Sequence, residues 1–156
     1  MKIAIASDMM GIQLKSAICG KLRNEGYELI EFGSFEGDVM PHSEAAVKVA
    51  KTIQSGEAQR GILICGTGMG VALTANKFKG VYAAPVESVF AAKYSRLINE
   101  CNVLCLGAYL IGTYMALEMV EAFLKHDFAM NFEAKRKANL TAQVEKIKSI
   151  EDENLK

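Results

Sequence analysis

Cys65 stands where the apolar run Gly61-Ile62-Leu63-Ile64 stops and the glycine-rich run Gly66-Thr67-Gly68-Met69-Gly70 begins. A thiol in that setting sits on a turn. The apolar run reads as a buried strand, the alternating glycines as a tight loop, and residues 71–77 as a helix that the loop opens. Backbone N–H groups and the positive end of a helix dipole favour nearby negative charge. The loop therefore suits a thiolate on Cys65, or charge developing on a substrate oxygen. The alternative is a plain strand-to-helix turn with a small buried cysteine, and the three glycines that follow argue against it. Two familiar glycine loops do not fit. A dinucleotide-binding turn needs Gly-x-Gly-x-x-Gly in the first strand–helix unit, whereas Gly66-x-Gly68-x-Gly70 is one residue shorter and lies in the third. A phosphate loop of the Gly-x-x-x-x-Gly-Lys-Ser/Thr type lacks its lysine here. What remains is a small anion or an oxyanion held beside a nucleophile or base.

The elements that must position this loop alternate along the chain. Residues 2–6 read as a short apolar strand, 11–25 as a helix with Ile12, Leu14, Ile18 and Leu22 inward, and 27–32 as a second strand. After a loop over 33–40, a helix over 41–55 carries Pro41 near its start, as a first turn allows. Strands follow at 60–64, 81–84 and 102–106, with helices between them and another over 113–125. Five such units with continuous apolar strands predict an α/β fold, a parallel sheet covered on both faces and wound right-handedly. Ligands then bind beyond the carboxyl ends of the strands, at the loops beginning with Ser7, Cys65, Pro85 and Gly107. Residues 131–156 are rich in charge, yet Leu140, Val144, Ile147 and Ile150 fall on one helical stripe. This tail either folds back on its own domain or reaches a second copy of the chain, and the second is favoured because the five units already have their helices.

At 156 residues the chain fits one domain. Its 18 basic and 18 acidic residues cancel, which implies neither nucleic acid nor an anionic membrane as partner. A strand beginning at Lys2 with no leader before it, and no apolar run of spanning length, make the cytoplasm the expected compartment. The cysteines at 19, 65, 101 and 105 show no close metal-ligand pair, so no metal is expected, and in a reducing compartment they stay thiols.

Several blocks then resemble one family. Lys2-Ile3-Ala4-Ile5-Ala6-Ser7-Asp8, Gly11, Leu14-Lys15, Arg60 to Gly70, Ala75-Asn76-Lys77, Asn102-Val103-Leu104, Leu106-Gly107-Ala108 and Ile111-Gly112 are similar to the type B ribose-phosphate isomerases and the two-subunit galactose-6-phosphate isomerases. The resemblance covers roughly residues 1–128, and its Ile-Cys-Gly-Thr-Gly block is its most specific part. It implies a Rossmann-like three-layer α/β/α fold, a homodimer or homotetramer, and aldose–ketose isomerisation of a phosphorylated sugar without metal or other cofactor. It also implies that Cys65 removes a proton from the carbon next to the carbonyl. Thr67 and the loop from Gly66 through Gly68 and Met69 to Gly70 would hold the substrate and its enediolate, Asp8 would contact sugar hydroxyls, and Asn99 would lie beside the site. That chemistry is coherent, because isomerisation needs a base for a weakly acidic C–H and a prepared place for the oxyanion.

The chain departs from the family's pattern at the proton-transfer and anion-binding positions. Met9 replaces a histidine, Ile98 replaces the ring-opening histidine, Tyr109 replaces an arginine, and Phe132 replaces one of two C-terminal arginines, leaving Arg136 as the other. A lysine would not reproduce the planar fork that grips phosphate. Three readings stay open. The chain is the cysteine-bearing subunit of a hetero-oligomer; or it acts alone on a sugar that needs no ring opening, such as a tetrose 4-phosphate; or it is a catalytically silent sugar-phosphate-binding homologue. Met9, Met10 and Met69 would give the pocket an unusually apolar rim. His42 reads as a solvated first-turn histidine with a route to the site, His126 as a charge complement at a helix end, and Cys101 and Cys105 as core cysteines on one face of a strand.

Overall fold

The computed structural model describes residues 1–33 and 40–155, so most of the loop expected over 33–40 lies outside the described residues. Five parallel strands, β1 (Lys2–Ser7), β2 (Glu28–Phe32), β3 (Arg60–Cys65), β4 (Ala83–Pro85) and β5 (Val103–Gly107), form one sheet in the order β2-β1-β3-β5-β4. Among the described residues six α-helices accompany them: α1 (Ile12–Asn24), α2 (His42–Gln54), α3 (Met69–Ala75), α4 (Val89–Asn99), α5 (Thr113–Leu124) and α6 (Ala134–Asn154). The result is the Rossmann-like α/β/α fold with an extra C-terminal helix. Among the described residues no helix is long and apolar enough to cross a membrane.

Strand pleating sorts the core into two layers. Ile3, Ile5, Ile62, Ile64, Leu104 and Leu106 turn to one face and are covered by Leu14, Ile18 and Leu22 of α1 and by Met119, Val120 and Phe123 of α5. Ala4, Ala6, Leu63, Cys65, Val103 and Cys105 turn to the other and meet Ala45, Ala46, Val49 and Ala50 of α2 with Val71, Ala72 and Ala75 of α3. The second layer is rich in alanine, which lets α2 and α3 lie close to the sheet. Gly61 is part of that fit, because a Cβ there would lie 2.8 Å from Val49 Cγ1 and 2.9 Å from Val103 Cγ2. Cys65 thus belongs to the α2/α3 face, at the carboxyl end of its strand.

The order of the strands places β1 and β3 side by side at the point where the winding reverses, which is where such sheets bind ligands. The Asp8 N–H donates to the Ile64 carbonyl at 3.1 Å, joining the loops after β1 and β3. On the other side, the Ala108 N–H donates to the Cys65 carbonyl at 2.8 Å and the Tyr109 N–H to the Gly66 carbonyl at 3.0 Å. A buried lysine closes the end of β2: Lys15 Nζ donates to the carbonyls of Phe32 and Gly33.

Three expectations shift. Pro41 precedes α2 as its N-cap residue, extended at φ −60° and ψ 145°, and does not enter the first turn. The helix after the glycine loop begins at Met69, earlier than residue 71. Cys101 lies outside β5, which begins at Val103, so it shares no strand face with Cys105. Helix α6 meets its own domain, one of the two courses expected of the tail. Val144 is buried, Lys148 pairs with Glu100 at 3.2 Å, and Glu151 accepts from the Gly80 N–H at 2.9 Å and the Tyr82 hydroxyl at 3.0 Å. Ile147 and Ile150 of the same stripe remain about half exposed.

Where the loops after β3 and β5 meet, backbone touches backbone. A Cβ on residue 107 would stand 2.8 Å from both C and O of Thr67, atoms that cannot rotate away. Gly107→Ala is therefore expected to lower stability by about 1–3 kcal/mol. Thermal unfolding measures it, and an unchanged melting temperature would contradict this packing.

Candidate active site

Cys65 is the last residue of β3 and is almost fully buried. Its Sγ accepts the Gly68 N–H at 3.1 Å, a contact that turns the sulfur toward the glycine loop. Gly68 has no substitute there. Its φ of 77° is left-handed, and a Cβ would come within 3.0 Å of the Leu106 carbonyl carbon. Thr67 is exposed at the crest of the loop, with Oγ1 3.4 Å from the Met69 N–H. Two amides of the expected oxyanion cradle, Gly68 and Met69, therefore have partners within the loop. Gly70 and Val71 lie in the first turn of α3, whose N–H groups the helix's own carbonyls do not reach.

Asp8 faces this loop from the end of β1. Its Oδ1 accepts the N–H groups of Met10 at 2.9 Å and Gly11 at 3.3 Å, capping the short 3-10 turn Met9–Gly11 and fixing the carboxylate at the mouth. Met9, Met10 and Met69 form the rim and are 51%, 44% and 53% exposed. Burial pushes the thiol of Cys105 well up, that of Cys101 up to about 11 and that of Cys19 up to about 12, so these three are held as inert thiols at neutral pH.

Two glycines of the loop have ordinary φ and need their missing side chains for space. A Cβ on Gly66 would lie 2.9 Å from Cε2 of Tyr109, and one on Gly70 would lie 2.9 Å from Cδ2 and 3.0 Å from Nε2 of His42. Two rings therefore flank the cysteine loop, one against each of these glycines. The Tyr109 hydroxyl bonds to Met10 Sδ, closing the rim on that side. In the sequence Tyr109 registers only as a lost arginine, and His42 as a solvated first-turn histidine with a route to the site. The available signal is the pair of glycines spaced for neighbours rather than for turns.

Asp8, Cys65, Thr67, Gly66, Gly68, Met69 and Gly70 come together at one end of the sheet. Asn99 and Arg136 do not join them within one chain. Helix α4 runs back against the strands, so Asn99 at its end lies beside the start of β5, where Asn102 O accepts the Gly61 N–H at 2.8 Å. Arg136 stacks at 4.0 Å on Phe132, whose N–H donates to Ala129 O; the Ala129 N–H in turn donates to Leu97 O at 2.9 Å. Asp127 in the same segment pairs with Arg60, the first residue of β3, at 2.8 Å. The six residues of β3 separate this end from Cys65 by about 17 Å. His126 is here too, its Nδ1–H donating at 2.7 Å to the Ala122 carbonyl in the last turn of α5.

Residues 3–141 match the Ribose/Galactose Isomerase family. The chain is 44% identical over 153 residues to a 4-deoxy-4-sulfo-D-erythrose isomerase of Clostridium sp. (strain MSTE9), covering 97% of this chain and 96% of that one. It is 39% identical over 129 residues to a ribose-5-P isomerase B of Listeria innocua, covering 83% and 87%. The solved structure of Clostridium thermocellum ribose-5-phosphate isomerase B superposes with a TM-score of 0.88 at 39% identity, covering 98% of this chain and 99% of that one. The chain belongs to the ribose/galactose isomerase family and is an aldose–ketose isomerase of that family.

Proposed function

We propose that this enzyme interconverts an aldose and a ketose of four carbons, open-chain and bearing a terminal tetrahedral anion, with Cys65 as the carbon base. The observation that carries the reading is the Cys65 sulfur turned by the Gly68 N–H into a loop that also presents Thr67 and the first-turn amides of α3. Thr67 and those amides would hold the enediolate, and Asp8, fixed through Oδ1, would offer its other oxygen to a sugar hydroxyl.

Two features support the short open chain. Ile98 carries no proton for a ring oxygen, and a four-carbon sugar blocked at its terminal oxygen cannot close a five-membered ring. Charge supports a sulfonate as the terminal group. A phosphate monoester carries about −1.5 to −2 at neutral pH and a sulfonate a single charge, while Arg136 alone remains of the arginines that the resemblance implies. The relative named for a sulfo-tetrose is also matched across the C-terminal helix.

Arg136 and Asn99 can serve such a site only from another copy, so the working unit would be a homodimer joining the carboxyl end of one sheet to the Asn99/Arg136 end of the next. The exposed apolar rim of Met9, Met69, Leu73, Tyr109, Leu110 and Tyr114 supports this, because so much clustered apolar surface marks an interface.

Three outcomes follow. Cys65→Ser should lower solvent-deuterium incorporation at the substrate carbon by at least about a hundredfold with the fold intact; exchange at the parent rate would remove Cys65 from the mechanism. Among 4-deoxy-4-sulfo-erythrulose, erythrulose 4-phosphate and ribulose 5-phosphate, kcat/KM should fall in that order. Preference for the five-carbon sugar would refute the substrate assignment, and activity appearing only with a homologous second chain would replace the homodimer with a hetero-oligomer. Light scattering at micromolar concentration should give at least a dimer, and a monodisperse monomer would sink the shared site.

A further inference from the structure

We propose that His42 is the acid–base residue of this site, carrying a proton between the two substrate oxygens while Cys65 carries the carbon-bound one. The inference rests on the isomerase reading above and assigns a step that Cys65 cannot perform. Moving a carbonyl from C1 to C2 requires a proton to be delivered to O1 and another to be taken from the hydroxyl on C2. The resemblance places histidines at positions held here by Met9 and Ile98, and neither side chain exchanges protons. The chain has two histidines, and His126 is bonded to the Ala122 carbonyl at the far end of the sheet.

His42 is at the right end and on the right face. It opens α2, which follows β2 and runs back against the strands, so its first residue stands at the carboxyl ends where Cys65 lies. Helix α2 packs on the face of the sheet to which Cys65 belongs. The contact itself is specific, because the imidazole occupies the space that a side chain on Gly70 would fill, 3.0 Å from its Cβ position to Nε2. Gly68 gives its N–H to the Cys65 sulfur at 3.1 Å, and two residues later Gly70 abuts the imidazole. The sulfur and the ring thus flank one short stretch of loop. Gly70 is helical, so its missing side chain is spent on admitting the ring rather than on an unusual φ.

The bookkeeping closes without an outside reagent. The C2–H bond breaks and its proton passes to the Cys65 thiolate, while protonated His42 gives a proton to O1, leaving the neutral enediol. Neutral His42 then takes the proton of the C2 hydroxyl, and the thiol returns its proton to C1. C1 is reduced, C2 is oxidised, and both side chains end as they began.

The test separates this role from structural support of the loop. In His42→Asn, enediolate should still form at Cys65 and return to substrate, so solvent deuterium should enter recovered substrate while product formation falls about a hundredfold. The ratio of exchange to conversion should rise at least tenfold over the parent. Gly70→Ala, which displaces the ring without removing it, should raise the same ratio, and the double variant should be no worse than His42→Asn. Circular dichroism and light scattering check the fold of each. Exchange and conversion falling in proportion, or neither falling, would overturn the role of His42 alone. A parent protein that isomerises none of the three sugars would overturn the substrate reading, and this role with it.

Discussion

The site depends on the approach of two loops with no side chains between them. Gly68 lies on the backbone of Leu106 and Gly107, and Gly107 lies on the backbone of Thr67, so the loops after β3 and β5 touch main chain to main chain. That contact lets the Ala108 and Tyr109 amides reach the carbonyls of Cys65 and Gly66, which holds the cysteine loop in the crook needed for the Gly68 N–H to meet Sγ. Interiors are packed densely enough that a methyl group at such a junction displaces whole segments. The sheet, with β3 flanked by β1 and β5, is the frame that brings these two loops into register.

The remainder of the molecule isolates one thiol for chemistry. Cys105 shares a face with Cys65 but is sealed in the α2/α3 layer, and burial keeps its proton on. Cys19, on the buried face of α1, is held in the same way. Cys65 differs by its position, since it ends a strand where the chain turns and a main-chain donor meets it. The far end of the sheet is bound by charge: Asp127 engages Arg60 and lies 3.7 Å from Arg96, and Lys148 and Glu151 tie α6 to Glu100 and Tyr82. Asp127 is exposed, and Glu100 and Glu151 are half-buried, so these pairs contribute modestly to stability, but they fix where the residues around Asn99 and Arg136 stand.

Local patterns were legible in the sequence, and relations across the sheet were not. Apolar runs located β1, β3 and β5 within a residue, because a strand buried on both faces must be apolar throughout, and the edge strands β2 and β4, only partly buried, were placed within two residues by shorter apolar stretches. The glycine run located the cysteine turn for the same kind of reason. Pro41 was misread by one position, since a fixed φ suits an N-cap residue as well as a first-turn one. The stripe on α6 announced that something is covered without saying what; its own domain covers Val144 and leaves Ile147 and Ile150 half exposed. Asn99 and Arg136 entered the expected site by resemblance alone, and only the direction of α4 reveals that one chain holds them apart from Cys65. Tyr109 stayed hidden, and His42 showed only a route to the site, because the evidence for where their rings sit lies in Gly66 and Gly70 opposite them.

The slots at Gly66 and Gly70 bear on how the loop should be read in any chain that carries it. Gly66 and Gly70 accommodate rings, and Gly68 and Gly107 accommodate backbone, so all four are held by bulk and conformation rather than by reactivity. A descendant that lost the cysteine, and with it all turnover, would remain under the same pressure to keep them. The glycine spacing is thus a fossil of architecture that can outlive the trade it once served. Testimony about chemistry rests with the side chains on the loop's working surface: the thiol, the threonine and the imidazole seated against Gly70.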